Sequence, residues 1–507
     1  MLVISRLLGH HAQYRGQYPA LDFEGRSWNF SQFNVEVNRL ANALLSCGLC
    51  KGDRFATVLP NSLELMASYW AAAVSGLVIV PCSNLLQKNG LSTLLKDSGA
   101  KLVIAGEDQL VMIEMIIDSL DNIDPDRVII TSDKPHRVFQ PFSAFSSGSE
   151  ATDPQVEVQE DDVYNIMYSS GTTGLPKGII HTHQIRSMYC ALFANAWRMT
   201  PESVILHAGA IVFNGAMLDL MPWMYLGCRY IMHAGFNAES VIADVEKYQV
   251  THMVMVPAQI IAILNSPEFT PERLSSLEML HNVGAPLHLN YKQIINDKLP
   301  GRFYELYGVT EGFMTILDKT EAVKKQGSVG KPAAFNEIQI MDEQGASCAS
   351  GEIGEICGKG PMVMPGYHNR PDLTEKAFYG RWLRSGDLGY LDEDGYLFLV
   401  DRAKDMIISG GVNVYPKDIE EIVIRHSAVE EVAVFGVADD KWGEVPIAAI
   451  RINTPVSSED MIQWVNARVD AKFQRISDII VLEEFPRNVA GKILKRELKE
   501  RFSRKDK

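Results

Sequence analysis

The sequence is poor in cysteine, and its thiols are not spaced like a disulfide framework. Only seven cysteines occur in 507 residues, which is an odd number. Cys47 and Cys50 have the spacing of a redox or zinc motif, but no second pair or nearby histidine cluster completes such a site. This usage is typical of a reducing compartment, and we expect a cytoplasmic protein.

Positively charged residues are also fewer than negatively charged ones. The formal net charge is -15 at pH 7, whereas proteins that bind nucleic acid cluster Lys and Arg against the phosphate backbone. The locally basic run KILKRELKERFSRKDK at 492–507 predicts a solvated helix followed by a frayed tail. We therefore expect no nucleic-acid partner.

The sequence has no continuous apolar run that predicts a membrane span. Residues 65–87 carry no charge, but Gly76 and Pro81 divide them into a predicted buried helix and a short buried strand. The first eleven residues lack the apolar core and the small-residue cleavage site of a secretory signal. We expect neither a transmembrane segment nor export.

What is present resembles an ordinary globular composition, with 46% hydrophobic and 22% charged residues. The length predicts more than one hydrophobic core. Short apolar runs at 55–60, 77–81, 102–106 and 127–132 alternate with segments of helical length, which indicates parallel sheets covered on both faces. We predict an α/β fold with a domain boundary near residues 401–404.

A glycine-rich segment, YSSGTTGLPKG at 168–178, suggests a binding site. It lies between two predicted strands, unlike a Walker loop, which runs from a strand directly into a helix and ends in Gly-Lys-Ser/Thr. Its glycines can turn backbone N–H groups inward, its hydroxyls add donors and Lys177 adds charge, as a triphosphate requires. Taken alone, the segment fits a polar surface turn equally well.

Four further motifs follow in order: YGVTEG at 307–312, SGDLG at 385–389, DRAKDMIISGGVNVYPKDIE at 401–420 and PRNVAGKILKREL at 486–498. With the glycine-rich segment they resemble the core motifs of the adenylate-forming superfamily, which includes acyl- and aryl-CoA ligases, nonribosomal peptide synthetase adenylation domains and firefly luciferases. The resemblance extends from about residue 18 to the C-terminal lysines. It implies an acetyl-CoA synthetase-like fold. A large N-terminal AMP-binding domain (1–401), made of subdomains with mixed and parallel sheets, would precede a small mobile α+β domain (402–507).

The resemblance also implies a reaction, that of an AMP-forming acid–CoA ligase with ATP, Mg²⁺ and coenzyme A. A carboxylate would attack the α-phosphate of ATP to give an acyl-adenylate and pyrophosphate, and a thiol would then displace AMP. Because an anion must approach a polyanion, catalysis would depend on positioning and charge neutralisation. An adenylation enzyme that loads a carrier protein is the alternative. A catalytically silent relative is a third, which the intact Lys492, Glu311 and Asp387 disfavour.

By resemblance, several motifs would hold the nucleotide and its metal ion. Thr310 would contact the α-phosphate, and Glu311 would hold Mg²⁺. Tyr307 would stack on adenine, Asp387 would accept hydrogen bonds from the ribose hydroxyls, and Arg402 would help to hold the same end of the nucleotide. The remaining residues assigned to the nucleotide are Ser169, Ser170, Gly171, Thr172, Thr173, Gly174 and Lys177 around the β- and γ-phosphates, and Gly284, Ala285, Pro286 and Gly308 around adenine.

The C-terminal motifs receive catalytic and hinge roles by the same resemblance. Lys492 would bridge the incoming carboxylate and the α-phosphate, whereas Lys495 and Lys499 are expected to be solvated. Lys404 would be the hinge about which the small domain rotates. Ser409, Gly410 and Gly411 would line the pantetheine path.

The segment AIVFNGA at 210–216 departs from the pattern PLFHNGA of many relatives. Either Phe213 or, with the alignment moved by one residue, Asn214 stands where a histidine is common, and both alignments remain open. The segment contains no acidic residue that could pair with the amino group of an amino acid, which favours a substrate acid with an uncharged aliphatic or aromatic tail. Met217, Val283 and Met314 complete the predicted apolar pocket.

Two histidines, His181 and His183, are two residues apart on a predicted strand and would share a face of it. No third ligand accompanies them, so structural roles are expected rather than metal binding. The composition suits a monomer or a homodimer equally.

Overall fold

The computed structural model describes residues 3–132, 134, 136–169, 177–402, 405–410, 412–439, 442–469, 471–488 and 491–503. Within these ranges, no helix combines the length and the apolar character that crossing a bilayer requires.

The first third of the chain alternates short buried strands with helices. The helix at residues 63–75 illustrates how the sequence determines where such an element begins and ends. Its side chains are buried without interruption from Leu65 to Ser75, Ser62 caps its start, and Gly76 in the left-handed conformation ends it. The predicted buried helix and the buried strand after it are thus both confirmed. The elements are α1 (Leu7–Tyr14), β1 (Pro19–Phe23), β2 (Arg26–Asn29), α2 (Phe30–Ser46), β3 (Arg54–Val58), α3 (Leu63–Ser75), β4 (Val78–Cys82), α4 (Lys88–Ser98), β5 (Leu102–Gly106), α5 (Leu110–Ile117), β6 (Val128–Thr131), β7 (Gln140–Pro141), α6 (Phe142–Ser147) and β8 (Val163–Ser169).

The middle of the chain continues this alternation and then turns to antiparallel strands. The elements are β9 (Lys177–Thr182), α7 (His183–Ala196), β10 (Val204–His207), α8 (Met217–Leu226), β11 (Arg229–Met232), α9 (Ala238–Tyr248), β12 (His252–Met255), α10 (Pro257–Asn265), β13 (Met279–Asn282), α11 (Leu289–Lys298), β14 (Phe303–Gly308), β15 (Met314–Leu317), β16 (Lys331–Pro332), β17 (Glu337–Met341), β18 (Gly354–Lys359), α12 (Pro371–Lys376), β19 (Phe378–Tyr379), β20 (Trp382–Leu391) and β21 (Leu397–Arg402).

The last hundred residues form a further group of elements with its own apolar clusters. These elements are β22 (Ile407–Ser409), β23 (Val412–Val414), α13 (Pro416–Val423), β24 (Val429–Asp439), β25 (Gly443–Ile452), α14 (Ser458–Asn466), β26 (Ile479–Val481) and α15 (Lys495–Ser503).

The described strands form four sheets, and the two largest are mainly parallel. One has the order β7-β6-β5-β3-β4-β8-β9, and the other has the order β16-β15-β14-β13-β12-β10-β11-β1-β2. A third sheet, formed by β17 to β21, is antiparallel. The fourth contains β22 to β26. The predicted α/β fold, with mixed and parallel sheets and a small C-terminal α+β unit, is confirmed.

The two large sheets share one apolar core. Its cluster includes Phe55 and Ile79 from one sheet and Ile205 and Tyr230 from the other. Helices α2, α3, α7 and α8 supply much of the rest. The strand ends of both sheets are therefore held at fixed positions, which matters because sites in parallel sheets are built on the carboxyl ends of strands.

One local prediction is wrong. His181 lies on β9, but His183 begins α7, because the hydroxyl of Thr182 accepts a hydrogen bond from the backbone N–H of Ile185 and starts the helix there. The two histidines therefore do not share the face of a strand.

Candidate active site

The glycine-rich segment connects two paired strands. Ser169 at the end of β8 is opposite Lys177 at the start of β9 in the antiparallel register. The predicted phosphate-binding residues Ser170, Gly171, Thr172, Thr173 and Gly174 lie outside the described residues, as does the side chain of Ser169. What the structure defines is the strand pair from which the segment extends.

Lys177 and Glu311 approach the same tyrosine. The ammonium group of Lys177 lies 5.2 Å from the ring centroid of Tyr367, and the hydroxyl of Tyr367 donates to Oε1 of Glu311 over 2.8 Å. Burial, and then the Glu311 carboxylate, raise the pKa of Tyr367 above its usual value, so the phenol remains a donor. Sequence reasoning missed Tyr367, because no local pattern relates it to a residue 56 positions away.

The loop after β14 carries Thr310 and Glu311 and is fixed from two sides. Nε2 of the buried His181 bonds the carbonyl oxygen of Thr310 over 2.9 Å, and the backbone N–H of Met364 donates to the carbonyl of Glu311 over 2.7 Å. A Cβ atom on Gly312 would lie 2.4 Å from the Cα of Val363, so a side chain at this position would displace the loop. Thr310 and Glu311 themselves are half-buried.

Tyr307, Asp387 and Arg402 are brought together although they are far apart in sequence. The Tyr307 hydroxyl donates to Oδ2 of Asp387 over 3.0 Å, and Nε of Arg402 lies 3.4 Å from Oδ1. Asp387 and Arg402 are also direct partners in the β20–β21 pair. Burial and then Asp387 raise the pKa of Tyr307 well above its usual value. The carboxylate is therefore held at both oxygens.

The turn from Val283 to Pro286 follows β13, beside β14, the strand that carries Tyr307 and ends at Gly308. Asn282 and Glu305 are partners in the parallel β13–β14 pair, so Gly284 and Tyr307 lie two residues beyond the same point. The side-chain amide of Asn282 donates to the carbonyl of Ala285 and to Oε1 of Glu305, each over 3.0 Å. Gly284 has φ +88°, a conformation that favours glycine. These bonds place the turn and the tyrosine at one sheet edge.

The predicted pocket residues lie mostly in one apolar wall. Met217 and Met314 are buried in the largest core cluster, and Phe213 and Val283 pack against it. Asn214 is the polar exception, and its amide donates to the hydroxyl of Tyr189 over 3.3 Å.

Asn61, which sequence reasoning missed, fixes the chain just before this wall. Its side chain donates to the carbonyl of Gly209 over 2.6 Å and accepts from the N–H of Ile211 over 2.9 Å. It is a single asparagine 148 positions from Gly209, and no sequence pattern marks it.

The C-terminal motifs are only partly described. Lys492 is exposed and follows Gly491, whose φ is +79°. Its backbone N–H donates to Oδ1 of Asn488 over 2.9 Å. Ser409 is buried, and Gly410 lies against the ring of Trp442, which a Cβ atom would approach to 2.9 Å. The predicted hinge residue Lys404 and Gly411 lie outside the described residues.

Lys495 is not the solvated lysine that the sequence predicted. Its ammonium group lies 2.6 Å from Oε1 of Glu420, and its side chain is 20% exposed. Burial alone would lower the pKa of Lys495, but Glu420 and Asp401 outweigh it and raise the pKa. Lys499 is more exposed, at 46%, and pairs with Glu444.

A metal site built entirely from side chains is absent from the described part of the chain, where no three His, Cys, Asp or Glu residues form a cluster. The half-buried Glu311 offers one hard oxygen donor group, which suits Mg²⁺ when it completes its coordination with phosphate oxygens and water.

Comparison with known proteins gives matches along most of the chain. The family model of AMP-binding enzymes matches residues 8–368, and the model of the AMP-binding enzyme C-terminal domain matches residues 418–492. The long-chain-fatty-acid–CoA ligase FadD13 of Mycobacterium tuberculosis is 34% identical over 94% of this chain and 93% of its own length. A feruloyl-CoA synthase of an Amycolatopsis species is 32% identical, with 94% of each chain covered.

A solved structure shows the same fold. The o-succinylbenzoate–CoA synthetase of Bacillus subtilis, in complex with its acyl-adenylate intermediate, superposes with a TM-score of 0.87 at 29% identity. The match covers 97% of this chain and 98% of that structure.

Proposed function

Because the chain belongs to the AMP-binding enzyme family and is an AMP-forming acid–CoA ligase, we propose that it activates an acid with an apolar body. ATP and Mg²⁺ would serve adenylation, and coenzyme A would accept the acyl group. The observation that carries this proposal is that residues from three separate motifs meet in two clusters, Lys177 and Glu311 around Tyr367, and Tyr307 with Asp387.

The phosphate end of the site is assigned to Lys177, Thr310 and Glu311. Lys177 and Glu311 carry opposite charge and flank Tyr367, so a polyphosphate and its cation would both find a partner there. Bound Mg²⁺ would neutralise charge on the phosphate oxygens, and Glu311 would hold it. The roles of the segment from Ser170 to Gly174 remain predictions from the motif.

The nucleoside end is assigned to Tyr307, Asp387 and Arg402. Asp387 would accept hydrogen bonds from both ribose hydroxyls, and Arg402 would orient its carboxylate. The turn at Gly284, Ala285 and Pro286 lies beside the end of β14 and would form the other face of the adenine site, next to Tyr307 and Gly308.

The two half-reactions are assigned to different faces of a C-terminal domain. We place its boundary at residues 401 and 402, and the separate core of the last hundred residues supports this division. Lys492 would neutralise the carboxylate and the α-phosphate during adenylation. Rotation about Lys404 would then exchange Lys492 for Ser409, Gly410 and Gly411 on the pantetheine path.

The test is CoA-dependent release of AMP from ATP and Mg²⁺ across a panel of fatty acids, benzoates, cinnamates and amino acids. We expect AMP release with one class of acids that carry no amino group. Pyrophosphate exchange without CoA-dependent AMP release would indicate that a carrier protein, and not CoA, accepts the acyl group. If no acid in the panel gives either activity, the proposal is overturned.

A variant separates the half-reactions. Lys492→Ala should reduce adenylate formation by about a hundredfold or more, whereas thioester formation from supplied acyl-adenylate is retained. Arg496→Ala is the matched control, because Arg496 is an exposed cation of the same segment that pairs with Glu500 on the surface of α15. An equal loss in both half-reactions of Lys492→Ala would contradict its role.

A further inference from the structure

A buried arginine lies next to the predicted acyl pocket. Arg186, on α7, is 0% exposed. Its Nε donates to Oδ1 of Asn165 over 3.0 Å, and its guanidinium carbon lies 4.9 Å from the ring centroid of Tyr189. Nη1 and Nη2 are both buried and have no hydrogen-bond partner among the described residues. One edge of the guanidinium is thus fixed, and within the described part of the chain the opposite fork has only the neutral phenol of Tyr189 beside it.

Arg186 also has no counterion among the residues that the structure describes. No carboxylate in the described ranges lies within ion-pair distance of it. The titratable groups that interact with its charge are the phenols of Tyr189, Tyr164 and Tyr69. Burial therefore lowers the pKa of Arg186. An uncompensated buried charge destabilises a folded protein by several kcal/mol, so a retained cation of this kind calls for an anion from outside the chain.

The position of Arg186 connects it to the site. Tyr189, over which it lies, accepts the hydrogen bond of Asn214 in the predicted pocket wall. Oδ1 of Asn214 is itself buried without a partner among the residues described. Phe213 and Asn214 are only half-buried, and a Cβ atom on Gly215 would have open space around it. Arg186, Asn165, Tyr189 and Asn214 thus form one polar cluster beside the half-buried part of the predicted pocket wall.

The other side of this cluster faces the adenylation loop. Asn165 and His181 are cross-strand partners on β8 and β9, and His181 bonds the carbonyl of Thr310. Arg186 is close enough to add its charge to the burial that lowers the pKa of His181. Arg186 is therefore connected through Asn165 and His181 to the loop of Thr310, and through Tyr189 and Asn214 to the predicted pocket wall.

We propose that Arg186 binds a second carboxylate, at the far end of the substrate's apolar body, so that the preferred acid is a dicarboxylate of which one end is activated. The planar fork of Nη1 and Nη2 matches a carboxylate in a bidentate arrangement, and Asn165 orients it from the Nε edge. A neutral acceptor group on the substrate would accept hydrogen bonds from Nη1 and Nη2 but would leave the positive charge of Arg186 uncompensated. This inference rests on the proposed ligase function, and it departs from the uncharged tail that the pocket segment suggested, because Arg186 lies outside that segment.

The first test uses the wild-type enzyme alone. CoA-dependent AMP release is measured with matched acids of equal length that end in a methyl group, a methyl ketone or a carboxylate. We expect kcat/KM to be at least about tenfold higher for the dicarboxylate. A preference for the methyl or the ketone acid would overturn the inference while confirming the ligase. AMP release with none of the acids would overturn the proposed function instead.

The second test changes the cation. Arg186→Met should lower the ratio of kcat/KM values, dicarboxylate over methyl acid, by about tenfold or more, and Arg186→Lys should retain part of it. Arg198→Met is the control, since Arg198 lies just past α7 and pairs with Asp318. An unchanged ratio in a folded Arg186→Met enzyme would contradict the assignment. Should Arg186→Met fail to fold, the wild-type preference decides.

Discussion

Tyr367 shows how much of a site can depend on one side chain outside its motifs. Its hydroxyl fixes one oxygen of Glu311 at 2.8 Å, and its ring lies 5.2 Å from the ammonium group of Lys177. Its effect is to orient a carboxylate that would otherwise rotate freely.

Tyr367→Phe removes only this hydroxyl. Residues that orient a metal-binding carboxylate typically contribute tenfold or more to metal affinity or activity, so with Glu311 holding Mg²⁺ as proposed, we expect adenylation to require about tenfold more Mg²⁺. The measurement is the rate of pyrophosphate release as a function of Mg²⁺ concentration. Tyr379→Phe, at a tyrosine that packs against Arg384, is the control. Identical Mg²⁺ dependence in Tyr367→Phe and wild type would show that Glu311 needs no such support.

A second prediction at this scale concerns pH. His281 on β13 is fully buried, its ring lies 4.9 Å from that of Trp197, and burial lowers its pKa from 6.5 to about 3. The folded protein therefore keeps His281 neutral while the unfolded chain binds a proton below pH 6.5. The stability that His281 contributes is present above pH 6.5 and is lost as pH falls from 6.5 towards 3.

His281→Phe should remove this loss. Between pH 7 and pH 5 the free energy of unfolding of the variant should fall by about 2 kcal/mol less than that of the wild type. Denaturant titrations at the two pH values measure the difference. Equal pH dependence in His281→Phe and wild type would mean that His281 is not responsible.

At the scale of elements, α7 determines which side chains meet the site. It begins at His183 and places Arg186 and Tyr189, three residues apart, on one face towards Asn165 and Asn214. The start of the helix depends on Thr182, whose hydroxyl accepts from the N–H of Ile185 over 3.3 Å. A helix that began one turn later would not position Arg186.

Thr182→Ala should therefore lower the free energy of unfolding by about 1 kcal/mol, the usual contribution of an N-terminal cap. Thr182→Ser keeps the hydroxyl and serves as the control. Chemical denaturation of both variants provides the measurement. A serine variant as unstable as the alanine variant would assign the effect to packing of the threonine methyl group rather than to the cap.

The elements also show how far the sequence leads. The runs at 55–60, 77–81 and 102–106 predicted β3, β4 and β5, because a short continuous apolar run between helical segments is typical of a parallel strand covered on both faces. The motifs predicted the neighbourhood of Tyr307, Asp387 and Arg402. The prediction that His183 lies on a strand was wrong. The alternation of residues continues past β9, but the hydrogen bond from the N–H of Ile185 to the Thr182 hydroxyl ends the strand and starts α7.

The contacts of Tyr367, Asn61 and Arg186 could not be predicted. Each joins residues that are far apart in sequence, or concerns a cation whose burial follows only from packing. Hydrophobic periodicity reports which face of an element is buried, and it carries no information on which distant polar atom lies opposite.

At the scale of the whole molecule, a polar contact holds the C-terminal unit against the large one. Nζ of Lys417 on α13 donates to the carbonyl of Leu399 on β21 over 2.7 Å. Glu421, one turn further along α13, lies 3.3 Å from Nδ1 of His288. A cavity of about 70 Å³ between them is lined by Lys292, Lys417 and Glu421 among others. Among the described residues, the two units therefore meet through polar contacts, and their apolar clusters are separate.

Lys417→Met should loosen this contact, because the carbonyl of Leu399 loses its donor and Glu421 loses a nearby cation. We expect proteolysis between residues 402 and 406 to become several-fold faster and the radius of gyration to increase. Limited proteolysis and small-angle X-ray scattering measure both. Lys376→Met, at an exposed position on α12, is the control. A Lys417→Met protein that is cleaved at the wild-type rate would place the main contact elsewhere.

Asp387 is held by Tyr307 at one oxygen and by Arg402 at the other. If Asp387 binds the ribose as proposed, the ribose would meet a carboxylate whose rotamer is already selected, so binding would lose little side-chain entropy at this position. The association rate constant for the nucleotide should accordingly be set by diffusion into the cleft rather than by a slow rearrangement of the acid that receives it.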